Sequence, residues 1–89
     1  MQLHLRIYGQ VQGVFFRYSA KDQAEKLGLT GWVRNNSGGS VEAVAEGPKA
    51  ALEEFAKWCK KGPSGAQIER VEVKWNKRIE GFSNFEILG

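Results

Sequence analysis

Residues 2–28 read QLHLRIYGQVQGVFFRYSAKDQAEKLG, and within them the spacing of apolar side chains changes once. Leu3, Leu5 and Ile7 alternate with Gln2, His4 and Arg6, the period of two that gives a strand one buried face. This strand is expected to end at Gly9. Beyond a short loop, Phe16, Ala20, Ala24 and Leu27 recur at spacings of four, four and three, which is one face of a helix. Gly28 stands where a helix stops, so the first helix is predicted over roughly Phe16 to Leu27.

Outward from this unit, Thr30 to Asn36 reads as a second strand, Ser37-Gly38-Gly39 as a hairpin turn and Ser40 to Glu46 as a third strand, with Val41, Ala43 and Ala45 on one face. Gly47-Pro48 opens a second helix whose Ala51, Leu52, Phe55 and Cys59 face a core, and Lys60-Lys61-Gly62-Pro63 ends it. Ile68 to Trp75 alternates from Val71 onward, and Asn84 to Leu88 has room for a short last strand. The order βαββαβ(β) predicts an α+β fold, the ferredoxin-like two-layer sandwich, with an antiparallel sheet and both helices on one face. A parallel three-layer arrangement needs continuously apolar strands, which these are not.

At 89 residues the chain is expected to be one domain, 1–89. With 42% apolar residues and ten aromatics it has enough material for one two-layer core. Thirteen Lys and Arg against ten Asp and Glu leave a net charge of +3, which favours anionic ligands without naming one. The chain shows no low-complexity tract, repeat, signal-peptide pattern or apolar run of membrane-spanning length, so a cytoplasmic protein is expected. One cysteine and one histidine rule out an internal disulfide and a zinc site of Cys and His ligands.

The chemistry is carried by the loop Gly9-Gln10-Val11-Gln12-Gly13-Val14-Phe15-Phe16 and the Arg17 that follows it. Two glycines let the backbone turn its N–H groups inward, and a helix begins at the loop's end. The unsatisfied N–H groups of the first turn and the positive end of the helix dipole therefore point at the same spot. Arg17 lies in that first turn. Helical side chains lean toward the N-terminus, so its planar, two-pronged donor can fold back over the loop. An arbitrary glycine-containing loop is more often a mere connection; here three features converge on one anion. No Gly-Lys-Ser/Thr follows to make a nucleotide loop. Ser19 has no base beside it and reads as a solvated helix residue.

Taken together, Gly9-x-Val11-Gln12-Gly13-Val14-x-Phe16-Arg17 and Gly31-Trp32-Val33-Arg34-Asn35 resemble the acylphosphatase family. The resemblance extends through Gly38-Ser40-Val41-Glu42, Glu46-Gly47, the second helix, the Val71-Val73 strand and Phe85-x-Ile87, essentially the whole chain. It implies hydrolysis of the carboxyl-phosphate bond without metal, cofactor or covalent intermediate, with Arg17 binding phosphate and Asn35 positioning water. Phe15 stands at a position that varies in the family and is expected to bear on acyl-group preference. The expected partners are a small-molecule acyl phosphate and inorganic phosphate, the latter as product and competitive inhibitor. Neither nucleic acid nor membrane is expected, and the protein is expected to be a monomer.

Topology supports the pairing of the motifs. In a βαβ unit the first two strands run the same way, so the cradle and Asn35 share one sheet edge. With the third strand between them, the two strand axes stand about 10 Å apart. Asn35 alone is as readily a residue flanking a turn. A site with no general acid cannot easily expel an alkoxide, whereas a carboxylate with a parent pKa near about 4 leaves unprotonated.

Other residues take plainer readings. His4 is a sheet-surface histidine without a catalytic partner, Cys59 a small buried hydrophobe, and Trp32, Trp58 and Trp75 packing residues. The rival from another class is a single-stranded RNA platform of Arg6, Tyr8, Trp32 and Arg34 on the helix-free face. Glu42 and Glu46 on the third strand oppose it, and no RNP-like motif appears. A non-catalytic anion sensor differs from the enzyme only in lacking turnover.

Overall fold

The computed structural model describes residues 1–13 and 15–88. The elements are β1 (Gln2–Gln10), α1 (Phe16–Lys26), β2 (Thr30–Asn35), β3 (Val41–Glu46), α2 (Lys49–Lys61), β4 (Gln67–Asn76) and β5 (Phe85–Leu88). They form a ferredoxin-like α+β sandwich with sheet order β4-β1-β3-β2-β5.

Leu3, Leu5 and Ile7 are fully buried, as are Val33, Val41, Ala43 and Ala45 from the neighbouring strands. Onto this face α1 brings Phe16, Ala20 and Ala24, and α2 brings Leu52, Phe55 and Cys59. Phe55 stacks with Trp58 and meets Phe85 edge-on, so the aromatic part of the core spans α2 and β5. Cys59 is a buried packing residue whose thiol is pushed up by burial. Trp58 packs against Phe16 and Phe55, but Trp75 lies on the edge strand β4 with its ring partly in solvent.

Element ends differ from the expected ones by a residue or so. The first strand continues past Gly9 through Gln10, with a register shift between Tyr8 and Gly9 against β4. The first helix closes with a Schellman motif: Gly28 N–H donates to the Glu25 carbonyl and Leu29 N–H to the Ala24 carbonyl. The hairpin is wider than a turn at Ser37-Gly38-Gly39, because Asn36 and Ser40 lie outside the strands and close the loop through Asn36 N–H to the Ser40 carbonyl at 2.8 Å. Pro48 caps α2 rather than beginning it.

β1, β3, β4 and β2 pair antiparallel, as the alternation predicts. The short last strand forms, and it pairs parallel to β2, which makes the five-stranded sheet mixed. To reach that far edge, residues 77–84 must cross one end of the sheet. Buried Glu46 holds the crossing, accepting backbone N–H bonds from Glu80 at 2.6 Å and Gly81 at 3.0 Å and a side-chain bond from Gln2 at 2.8 Å. Burial opposes ionisation of this carboxyl, yet these donors hold its pKa below the ordinary value.

Candidate functional site

The register places Ile7 of β1 opposite Val41 of β3, and Val41 opposite Asn35 of β2. Asn35 therefore lies two strand spacings, about 10 Å, from the last core residue of β1, at the edge where the chain leaves toward α1. A cavity of about 150 Å³ lies at this edge, lined by Val11, Gly13, Phe15, Phe16, Arg17, Tyr18 and Asn35. It is well below the roughly 300–1,000 Å³ of clefts that enclose drug-sized ligands, a size for one small group.

Loop geometry follows from a few residues. At Gly9, φ is 132°, and a Cβ would lie 2.0 Å from the Gln67 carbonyl oxygen, so only glycine lets β1 and β4 stay paired where the chain turns. Gly13, at φ 78°, turns the backbone in the left-handed region at the cavity wall. Val11 and Phe16 are buried and anchor both ends of the loop in the core. Phe15, the N-cap residue of α1, has φ 59° and ψ 26°; it is the one non-glycine residue with positive φ among those described. Backbone strain of this kind concentrates at functional sites. No side chain caps the described start of α1 and no acidic residue lies in its first turn, so its N-terminal N–H groups and dipole favour an anion.

The cavity brings half-buried Arg17 together with Asn35. The Asn35 Oδ1 atom is buried and has no hydrogen-bond partner among the described residues. A buried acceptor left without a donor is costly, and such atoms call for an explanation. Of the other loop residues, Gly9 and Gln10 lie in β1, paired with Ile68 and Gln67, and do not line the cavity. Val14 lies outside the described residues. Gln12 turns its side chain toward the hairpin, donating from Nε2 to the carbonyls of Asn36 at 2.8 Å and Ser40 at 2.9 Å. Sequence reading placed Gln12 in the loop without this bridge. It also missed Tyr18, whose signal was its position three residues after Phe15, on the same side of the helix start.

The helix-free face is built differently from a stacking platform. Glu42, only 6% exposed, pairs with His4 at 2.5 Å, Arg34 at 2.9 Å and Arg6 at 3.5 Å. Burial opposes its ionisation, but the hydrogen bonds from His4 and Arg34 lower its pKa to about 2. The aromatic faces carry guanidinium groups, Arg34 over Trp32 and Arg70 over Tyr8. Of the residues named for an RNA platform, Arg34 and Trp32 thus engage each other, Tyr8 is covered by Arg70 and Arg6 pairs with Glu42. Among the described residues no group of three or more His, Cys, Asp or Glu could hold a metal, and no helix is long and apolar enough to cross a membrane.

Fold and cavity together define a small α+β sandwich with a cavity at a strand–helix junction. Over residues 3–87 the chain matches the family model for acylphosphatase. It is 51% identical over 89 residues to the acylphosphatase of Pyrobaculum islandicum, covering 99% of this chain and 94% of that protein. To the acylphosphatase of Thermococcus kodakarensis it is 49% identical over 89 residues, covering 100% of this chain and 97% of that protein. The crystal structure of acylphosphatase from Bacillus subtilis superposes with a TM-score of 0.97 at 38% identity, covering 99% of this chain and 98% of that one. The chain belongs to the acylphosphatase family, and it is an enzyme of acyl phosphate hydrolysis.

Proposed function

We propose that this chain hydrolyses acyl phosphates by direct attack of water on phosphorus inside the cavity between α1 and the end of β2. The observation that carries the reading is that Arg17 and Asn35 line one small cavity beside a helix N-terminus, with no hydrogen-bond partner for the buried Asn35 Oδ1 among the described residues. The phosphoryl oxygens sit against the loop that carries Val11, Gly13, Phe15 and Phe16, with the Arg17 guanidinium as a two-pronged, charge-assisted donor. The Asn35 side chain orients the attacking water and holds it in line with the bond to be broken.

The water oxygen bonds to phosphorus as the bond from phosphorus to the acyl oxygen breaks. The carboxylate leaves with the bonding electrons, and a phosphate oxygen of the substrate takes the water's proton. No general acid is needed, because a carboxylate is stable unprotonated at neutral pH. Catalysis is then positioning and charge stabilisation, worth most in a small, water-poor site. The scheme uses no metal, and the protein works as a monomer.

Turnover of benzoyl phosphate in water enriched in heavy oxygen tests this reading. Attack on phosphorus puts the label in inorganic phosphate. Label in benzoate would mean attack at the carbonyl carbon, and no turnover with retained phosphate binding would mark an anion sensor.

A further inference from the structure

We propose that Phe15 and Tyr18 form a platform for the acyl group, so that the site selects acyl phosphates carrying an aromatic ring over those with the smallest acyl groups. The proposal rests on reading the cavity as an acyl phosphate site. Phe15 is 75% exposed and Tyr18 62% exposed, yet both line the cavity that holds Arg17 and Asn35. Their ring centroids lie 6.3 Å apart with planes tilted by 54°, within the range in which aromatic groups attract one another. Two large aromatics standing in solvent beside a phosphoryl-sized cavity leave apolar area for something to cover.

The occupant follows from the chemistry of the site. In-line displacement places the acyl group on the side of phosphorus away from the water at Asn35, so the acyl group leaves the cavity past its other walls. Of the side chains forming those walls, Val11 and Phe16 are 1% exposed and belong to the core. Phe15 and Tyr18 are the aromatic ones that reach solvent. Phe15 holds its place with φ 59°, in a region where glycine is free of strain. A third ring set against this pair meets the edge or face of each, whereas an acetyl group is too short to reach both.

Two phosphonates carry the same anion and differ only in the ring, so their relative affinity reports the platform apart from the reactivity of the acyl group. Binding of methylphosphonate and benzylphosphonate to the full chain is measured by calorimetry, alongside kcat/KM for acetyl and benzoyl phosphate. Benzylphosphonate is expected to bind about three- to tenfold more tightly, the range a favourable aromatic contact supplies. Tyr18→Ala lowers that ratio, Tyr18→Phe keeps it, and Phe15→Ala combined with Tyr18→Ala brings it near one; thermal melts confirm that each variant is folded. Equal affinity in the unaltered chain, or an undiminished ratio in the folded double variant, overturns the platform. Turnover of both acyl phosphates with equal affinity for the two phosphonates removes the platform and leaves the function standing. Failure to bind either phosphonate or turn over either substrate removes the function, and the platform with it.

Discussion

The side-chain amide of Gln12 donates to the carbonyl of Asn36 at 2.8 Å, joining the loop that precedes α1 to the residue that follows Asn35. Its second bond, to the Ser40 carbonyl, closes the same hairpin from the other side. Gln12 thus bridges the loop after β1 and the hairpin that follows Asn35 of β2, two strands that β3 keeps apart. Gln12→Ala should destabilise the fold by about 1–3 kcal/mol, since two hydrogen bonds of roughly 0.5–1.5 kcal/mol each are lost, although the Ser40 carbonyl keeps the Asn36 N–H. It should also lower kcat/KM more than a change confined to stability would, as the two walls of the cavity become free to separate. Melting temperature and steady-state kinetics, measured well below the melting range, check both parts. Full kcat/KM in the variant would show that the walls are held by other contacts.

Glu42 makes stability depend on acid. Its carboxyl titrates near 2 in the folded protein, below the ordinary glutamate value of 4.5. The unfolded chain therefore binds the proton first as the pH falls. The stabilisation is fully present above about pH 4.5 and is lost as the pH drops through the folded value near 2, an effect on the order of 3 kcal/mol. Glu42→Gln should be less stable at pH 7, because His4, Arg6 and Arg34 lose their shared counter-charge, and it should show a shallower loss of stability below pH 4.5. Urea midpoints across pH measure both slopes.

At Gly9 the prediction concerns backbone alone. A methyl group there meets the Gln67 carbonyl at 2.0 Å and the Glu69 amide at 2.9 Å, with φ at 132°. Gly9→Ala should cost at least about 2 kcal/mol and lower the melting temperature by on the order of 10 °C. A thermal melt reads it directly.

Arg17→Gln removes the charged, two-pronged donor while keeping a polar side chain of similar length. Losing one well-placed charge-stabilising donor costs on the order of a hundredfold to a thousandfold in kcat, and this one should cost at least that. Inorganic phosphate and sulfate should inhibit the unaltered enzyme competitively and the variant far more weakly. Activity within a few fold of normal would remove Arg17 from the site.

Most of the fold was legible because one face of each strand repeats cleanly. Leu3, Leu5 and Ile7, and then Phe16, Ala20 and Ala24, could pack only as a strand followed by a helix. The direction of β5 was not legible. Phe85 and Ile87 offer two apolar residues, and their pairing beside β2 depends on a crossing segment held by the distant carboxylate of Glu46. The same limit applies within the site. Arg17 and Asn35 announce themselves by residue type and by strand-end topology, whereas a glutamine in a loop has many partners open to it. Which carbonyls Gln12 reaches is decided by the hairpin's width, and that width was one residue off at each end. Tyr18 was hidden for a different reason. An exposed helical tyrosine looks like surface until the left-handed turn at Phe15 sets it beside the cavity.

The central proposal is that Asn35 works on the water and Arg17 on the phosphoryl group, and Asn35→Ala separates the two roles. An interaction made only in the transition state lowers kcat and kcat/KM together, whereas a binding contact raises KM with kcat kept. The decisive measurement is kcat for benzoyl phosphate beside the inhibition constant of inorganic phosphate in Asn35→Ala, once circular dichroism and a thermal melt show it folded. The proposal predicts a fall in kcat of a hundredfold or so with phosphate affinity changed by less than about threefold. Near-normal kcat with phosphate affinity lost would contradict it.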